Sequence, residues 1–555
     1  MNSETKICQN CNKDFTIEPN DFNFYKKMKV PPPTFCPLCR QQRRTIFRNF
    51  KTLYKRPSNK SGKIIVSMYG PDAPFPVWDI SEWWADDWEA STYAMDLDLS
   101  MPFLKQVHEL SKKVPHFAIM NTKSTNCEYS NMALQSNNCY LVFGCVKDEN
   151  CGYGHVVWYS TDCIDNLYIN KCELCYECID CIGSNRLFYS EECEACVDSV
   201  GLYDCRGCTN CIGCVGLRQQ SYNIFNQQVT KEACQEFLLK HPINNKESFK
   251  YILAEREKIR KQKPMRATFG SHNNNVLGDH IYYAHNIHQS FDIKNGGENS
   301  RYCYTVNKPI ESQDISFSVD IEYSYQVLTG GHSSDVIASH IVIESNYVYY
   351  SDTCYNSRNL FGCFGLRNKE YCILNKKYTK EEYEKLVPQI IENMKKSGDW
   401  GEFFPVWMSP FGYNESIANE YMPLSKEQAI EQGFSWQDNI PATTGQENCT
   451  YEDLPKDSEK YKDDELLSKI LKCETCAKNY RFISREISFY KRMRLALPSK
   501  CFNCRHQARM NIRNPRVLNE TKCASCGNAV QTTYSKEKHS QYKIYCERCY
   551  QQEVY

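Results

Sequence analysis

The chain has 555 residues, 33 of them Cys, and its 67 Lys and Arg are balanced by 67 Asp and Glu. That length holds several domains with buried cores, and the zero balance excludes a uniformly basic or acidic protein. No apolar run approaches the ~18 residues that cross a bilayer, and the opening stretch Met1–Asn10 is polar, so neither a membrane protein nor a secreted disulfide framework is expected. The expectation is a cytoplasmic protein whose Cys bind zinc or lie buried as thiols.

Residues 1–50 read as a first zinc ribbon, Cys8-x2-Cys11-x24-Cys36-x2-Cys39. Two CxxC pairs bring four thiolates within tetrahedral reach of one Zn²⁺ at ~2.3 Å, and a unit this small depends on the metal to fold. Arg40, Arg43, Arg44 and Arg48 follow. From Phe22 to Gly70 there are 12 Lys or Arg and no acid, whereas Pro71–Leu104 holds eight acids and no Lys or Arg. Residues 51–100 resemble a decayed ribbon: Ser58, Ser61, Asp79 and Glu82 stand where the last ribbon of the chain has Cys523, Cys526, Cys546 and Cys549. Serine and carboxylate are poor zinc ligands, so a metal-free unit is expected, its core supplied by Trp78, Trp83, Trp84 and Trp88.

Residues 101–229 carry a different signal. All 15 Cys from Cys127 to Cys214 share one remainder on division by three, and Asp148 is the only charged residue in that class of positions up to Leu217. Six- and eighteen-residue spacings are strong within the class, which predicts a β-solenoid of the hexapeptide β-helix type with 18 residues per turn. Cys172, Cys175, Cys178 and Cys181 resemble iron–sulfur spacing but lack its x3 step and following Pro. The periodicity already explains them as a ladder of buried thiols, with a cluster as the alternative. Thr230 and Thr379 each read as the N-cap of a helix, over 230–265 and 377–397; the first runs through a basic stretch to Pro264. Residues 266–376 repeat the pattern with Ser333, Ser339, Ser345, Ser351, Ser357 and Cys363 at every sixth position. The ends of the two solenoids match at an offset of 149, for example Cys214, Gly216, Leu217 and Arg218 with Cys363, Gly365, Leu366 and Arg367. A duplication is the simplest reading. The fold class is therefore mainly β, two tandem solenoids with capping helices flanked by small ribbons.

Residues 398–470 read as a linker with one short helix, Ser425 to Gln432, ended by Gly433. A second ribbon, 471–515, has Cys473, Cys476, Cys501 and Cys504 at an offset of 465 from the first, and Arg505, Arg509 and Arg513 match Arg40, Arg44 and Arg48. A third, 516–555, has Cys523, Cys526, Cys546 and Cys549. The units Cys8–Arg44 and Cys473–Arg509, with their shared Phe-Tyr-Lys centre, Pro33 or Pro498, and CxxCR ending, resemble a bacterial family of probable zinc-ribbon domains. The resemblance implies zinc at those eight Cys and little about activity.

The cofactor expectation is three structural Zn²⁺ ions. For function, the acid-free basic ribbons suggest a non-enzymatic scaffold that binds RNA, DNA or a ribonucleoprotein through Arg40, Arg43, Arg44, Arg48, Arg505, Arg509 and Arg513. The same stripes would serve an acidic protein partner or a dock for the chain's own Asp72–Asp98 segment. A scaffold for protein partners is the alternative. A β-helix enzyme, of the acyltransferase or carbonic-anhydrase kind with zinc held by histidines among His280, His285, His288, His332 and His340, is a second alternative resting on fold analogy.

Overall fold

The computed structural model describes residues 2–455 and 462–554; of the expected linker, residues 456–461 lie outside them. The protein is mixed α/β. It divides into two compact units, each made from two stretches of chain: 1–119 with 268–440, and 120–267 with 441–555.

Each unit is built around a stack of short parallel β-segments. In the second unit, Asn131 pairs with Phe143, His155 with Leu167 and Asn185 with Val197. Single bridges such as Thr125 to Asn137 and Thr209 to Ser221 continue the series. In the first unit a 12-stranded sheet covers residues 270–377, with Tyr304 paired to Ser316 and Asn346 to Arg358. These partners are 12 residues apart, which corrects the expected 18. The inward period of three divides both numbers, so it could not choose between them. The backbone chooses: through both stacks nearly every third residue is left-handed, as at Asn126 (φ 52°), Tyr129 (φ 51°), Asp165 (φ 57°) and Asp314 (φ 59°). A bend after every three residues makes the repeat short. Such a conformation costs a non-glycine residue ~1–2 kcal/mol, and here the pairing on both sides holds it in place.

The residue after each bend points inward, and those positions carry Cys, Ser and small aliphatics. They share one task. Ser333 Oγ donates to the Gly331 carbonyl and accepts from the Ser345 N–H one rung on (2.8 and 3.1 Å). The Cys178 thiol faces the carbonyls of Tyr176 and Leu187 at 3.5 and 3.2 Å. A small side chain with a polar head satisfies backbone groups at the bends that the ladder leaves unmet. Among the described residues, none of the cysteines is in a disulfide.

The region 101–120, expected to open a solenoid, holds a helix (Phe103–Lys113) and a short strand (His116–Phe117) instead. The single helix expected over 230–265 is two, Lys231–Lys240 and Lys246–Gln262; Pro242 cannot continue a helix. Thr230 and Thr379 cap their helices, accepting from Ala233 and Glu382 N–H. The duplication extends into these segments. Helix 103–113 packs beside the first-unit stack at Gly362, and helix 246–262 beside the second-unit stack at Gly201 and Gly213. Phe103 lies over Gly362 and Ile252 over Gly213, both glycines left-handed (φ 65° and 61°). A Cβ on Gly362 would come within 2.4 Å of the Phe103 ring. Each helix thus belongs to a different unit from the stack that follows it in the chain.

Asp148, a charged residue in the inward column of the second-unit stack, is buried, and its Oδ1 accepts the Ser160 N–H at 2.9 Å. Burial pushes its carboxyl well above the ordinary carboxylate range, so it is held neutral. A raised folded-state value gives stability that is complete below the unfolded value of ~4 and is lost as pH rises. Asp148→Ser, which keeps an acceptor, should therefore gain on wild type in thermal stability between about pH 5 and pH 8, by about 1 kcal/mol or more. An unchanged difference across that range would reject the assignment.

Candidate metal centres

Twelve cysteines converge in three groups of four: Cys8, Cys11, Cys36 and Cys39; Cys473, Cys476, Cys501 and Cys504; Cys523, Cys526, Cys546 and Cys549. In each group the four sulfurs all lie within 4.8 Å of one another. The local fold explains why. A hairpin carries the first CxxC pair, and its turn is closed by Asn12 N–H to Cys8 O and Cys8 N–H to Lys13 O, both 2.9 Å. The second pair begins a helix, with Cys36 and Cys501 as N-caps. One backbone N–H then donates to a sulfur across each site: Cys36 to Cys8 (3.2 Å), Cys501 to Cys473 (3.3 Å) and Cys546 to Cys523 (3.3 Å). Such bonds favour thiolate over thiol.

The spacing fits a four-coordinate ion. Metal–sulfur bonds of ~2.3 Å in a tetrahedron set sulfurs ~3.8 Å apart. Cys11–Cys36, Cys476–Cys501 and Cys526–Cys546 lie at 3.8, 3.7 and 3.9 Å. Four protein ligands leave no open position for substrate, so an ion here would be structural. The sites differ in cover: Cys526 is exposed, whereas Cys8, Cys36 and Cys39 are buried.

Residues 54–83 repeat this backbone without cysteine. Ser58 N–H bonds Lys63 O and Gly62 N–H bonds Ser58 O (2.8 and 2.9 Å), the same turn as at Cys523 and Gly527. Ser58 Oγ donates to Glu82 Oε2 at 2.5 Å, and Glu82 also accepts the Asp79 N–H at 3.0 Å. Hydrogen bonds stand where a metal would. Trp83 is fully buried and packs edge-on against Trp84 and Trp88 at 5.0 and 5.6 Å.

The arginines beside the ribbons point inward. In the first unit Arg40 and Arg44 share Asp314, a left-handed residue of the stack, at 2.8 and 3.0 Å. Arg43 donates to the Phe403 and Phe404 carbonyls. Arg48 bonds Thr329 and lies over the rings of Phe50 and Phe317. In the second unit Arg505 and Arg509 share Asp165, Arg509 also pairs with Glu177, and Arg513 pairs with Asp180 (3.0, 3.1, 2.9 and 2.7 Å). Arg40, Arg44, Arg48, Arg505 and Arg509 are each less than a tenth exposed. Their dock is the stack of their own unit, not the Asp72–Asp98 segment.

The two docks correspond position by position. Asp165 and Asp314 differ by 149. So do Tyr153 and Tyr302, which lie under Arg505 and Arg40 at 4.8 and 5.1 Å, and Tyr176 and Tyr325, which meet Tyr490 and Tyr25 at 5.7 and 5.6 Å. Tyr153 OH donates to Glu486, and Tyr302 OH to Asp21; Glu486 and Asp21 differ by 465. These stack residues escape a reading of each motif by itself. The two offsets taken together identify them.

Among the described residues, no convergent ligand group contains two of the candidate histidines His280, His285, His288, His332 and His340. His332 and His340 face Asp320 and Asp352 at 3.2 and 3.1 Å. Among the same residues, no group of converging ligands includes three ladder thiols. No helix among the described residues is long and apolar enough to cross a membrane. No family model matches the chain, and the search of curated proteins gives no match.

Two expectations follow. Metal analysis of the purified chain should find three ions, and Cys476→Ser should remove one; four ions would overturn the hydrogen-bonded account of Ser58 and Glu82. Asp165→Ala strands two buried guanidiniums and should cost about 3–5 kcal/mol in denaturant unfolding. A loss below about 1 kcal/mol, the range of surface pairs, would contradict this dock.

Proposed function

We propose that the protein is a zinc-stabilised, non-enzymatic scaffold for protein partners. Its two parallel stacks are read as β-solenoids with 12-residue turns, four three-residue sides to a turn. The 12-residue register kept through both stacks supports this. The ions are read as Zn²⁺, which four thiolates at tetrahedral spacing select. Hairpin, knuckle and helix in each four-cysteine unit fit the zinc-ribbon resemblance of Cys8–Arg44 and Cys473–Arg509.

The observation that favours the protein-partner reading is where the arginines point. A phosphate-gripping stripe needs guanidiniums open to the backbone of a nucleic acid. Here the residues on which that reading rested hold buried carboxylates, carbonyls and aromatic rings. The buried arginines fasten the ribbons to the stacks. The outer faces of the stacks are read as the surface for a protein partner. Closed tetrathiolate sites support the non-enzymatic reading.

Electrophoretic shift assays with RNA and DNA at low and high salt, run beside a nuclease-treated pull-down, test this. The expected result is no salt-sensitive nucleic-acid complex, with partner proteins retained after nuclease. In the same assays Arg44→Ala with Arg509→Ala should lower thermal stability. Tight nucleic-acid binding that falls steeply with salt, and that these two changes abolish in a still-folded chain, would reinstate the nucleic-acid scaffold.

A further inference from the structure

The two docks are alike in plan and unlike in charge. In the second unit Glu486, on the ribbon helix Ser484–Met493, is buried against the stack. It accepts from Tyr153 OH at 2.6 Å, from Tyr490 OH at 3.2 Å and from the Ile483 N–H at 3.3 Å. Its nearest cation, Arg505, stands 3.9 Å away and is already held by Asp165. Arg509 is divided between Asp165 and Glu177, and Arg513 is paired with Asp180. Three carboxylates, the buried Glu486 and Asp165 and the partly exposed Glu177, thus face two guanidiniums. The phenols of Tyr140 and Tyr480 also lie near Glu486, and Tyr176 packs on Tyr490.

The first unit changes the two positions that set this balance. Gln326 stands where Glu177 would, and Arg301 stands where Gly152 would, bonding Asp21 at 3.0 Å. Asp21, the counterpart of Glu486, therefore has a guanidinium of its own, besides Gln313 and the Tyr302 hydroxyl. Two carboxylates there, Asp21 and Asp314, face Arg40, Arg44 and Arg301.

We propose that the C-terminal ribbon pair is held on its stack by a proton-linked contact at Glu486, which loosens as pH rises, whereas the N-terminal pair is held without one. Burial, against the opposing pull of Arg505 and the Tyr153 hydroxyl, pushes the Glu486 carboxyl up to about 7. The sign is that of a raised acid: docking is strongest where the carboxyl keeps its proton and weakens as the pH passes its folded value. From about pH 6 to pH 8 the docking equilibrium should fall roughly tenfold. Metal loss has the opposite sign, since thiolates lose their metal as pH falls.

The test is hydrogen exchange on the metal-loaded full chain, corrected for intrinsic rate, across that pH range. Peptides over 484–513 should lose about tenfold in protection while those over 19–48 do not. Glu486→Gln should abolish the slope. Gly152→Arg, which installs the counterpart of Arg301 and keeps the carboxyl, should flatten it too. The proposal is overturned if both ribbon pairs respond alike, or if the slope survives either substitution in a folded protein.

Discussion

The arginine that follows the fourth cysteine of a ribbon, and the stack carboxylate it reaches, hold each unit together. Arg40 directly follows Cys39 and Arg505 follows Cys504. Each guanidinium also donates back to the residue before the third cysteine, Phe35 O at 2.7 Å and Lys500 O at 2.9 Å. The same group is thus clamped to the knuckle at one edge and to Asp314 or Asp165 at the other. A buried charge of this kind is tolerable only when fully paired. The knuckle sets the arginine, and the arginine sets where the ribbon lies. An ion held by the four cysteines would fix the knuckle, and its binding would in this way be coupled to docking.

The carboxylate is in reach because of the three-residue repeat. Asp314 and Asp165 occupy left-handed positions, where Asp and Asn are the least strained residues after Gly. The same bend that shortens the repeat to 12 residues turns the residue outward, toward the ribbon. The next residue turns inward and must be small and polar-headed. That is why cysteine fills the column in one unit and serine in the other: either can serve the backbone at the bend, and cysteine adds apolar burial. The abundance of cysteine reflects two unrelated demands, tetrahedral ligation at the ribbons and compact hydrogen-bonding packing in the stack.

How legible was this in the sequence? The cysteine groups were fully so, because ligand spacing is local and repeated at a fixed offset. The inward column was legible as well, since a period of three with a single charged exception leaves no other account. The length of a turn was not. Multiples of three are degenerate until the backbone bends are known, and no residue pattern announces that a Tyr or Leu will sit left-handed, as Tyr129 and Leu141 do (φ 51° and 50°). The arginines misled for a different reason. Their counter-charges lie far away along the chain, Asp314 some 270 residues from Arg44 and Asp165 some 340 from Arg505. A local charge map shows the basic stretch and cannot show what neutralises it.

The duplicated architecture makes the differences between the units informative. Where two copies share a backbone, a position that changes in only one of them is free of the fold's general requirements. Ser58 and Glu82 are joined by a hydrogen bond on a turn like the one that carries Cys523 and Cys526, beside the packed Trp83 and its neighbours. Gln326 and Arg301 show that the buried charge at a dock can be retuned without moving the contacts of Asp314, Tyr302 and Tyr325. The four-cysteine sites and the charge balance are therefore adjustable parts on a common frame. The first unit has one such site and a dock with excess guanidinium. The second unit has two such sites and an excess of buried carboxylate at its dock, and the asymmetry between the halves lies there rather than in the fold.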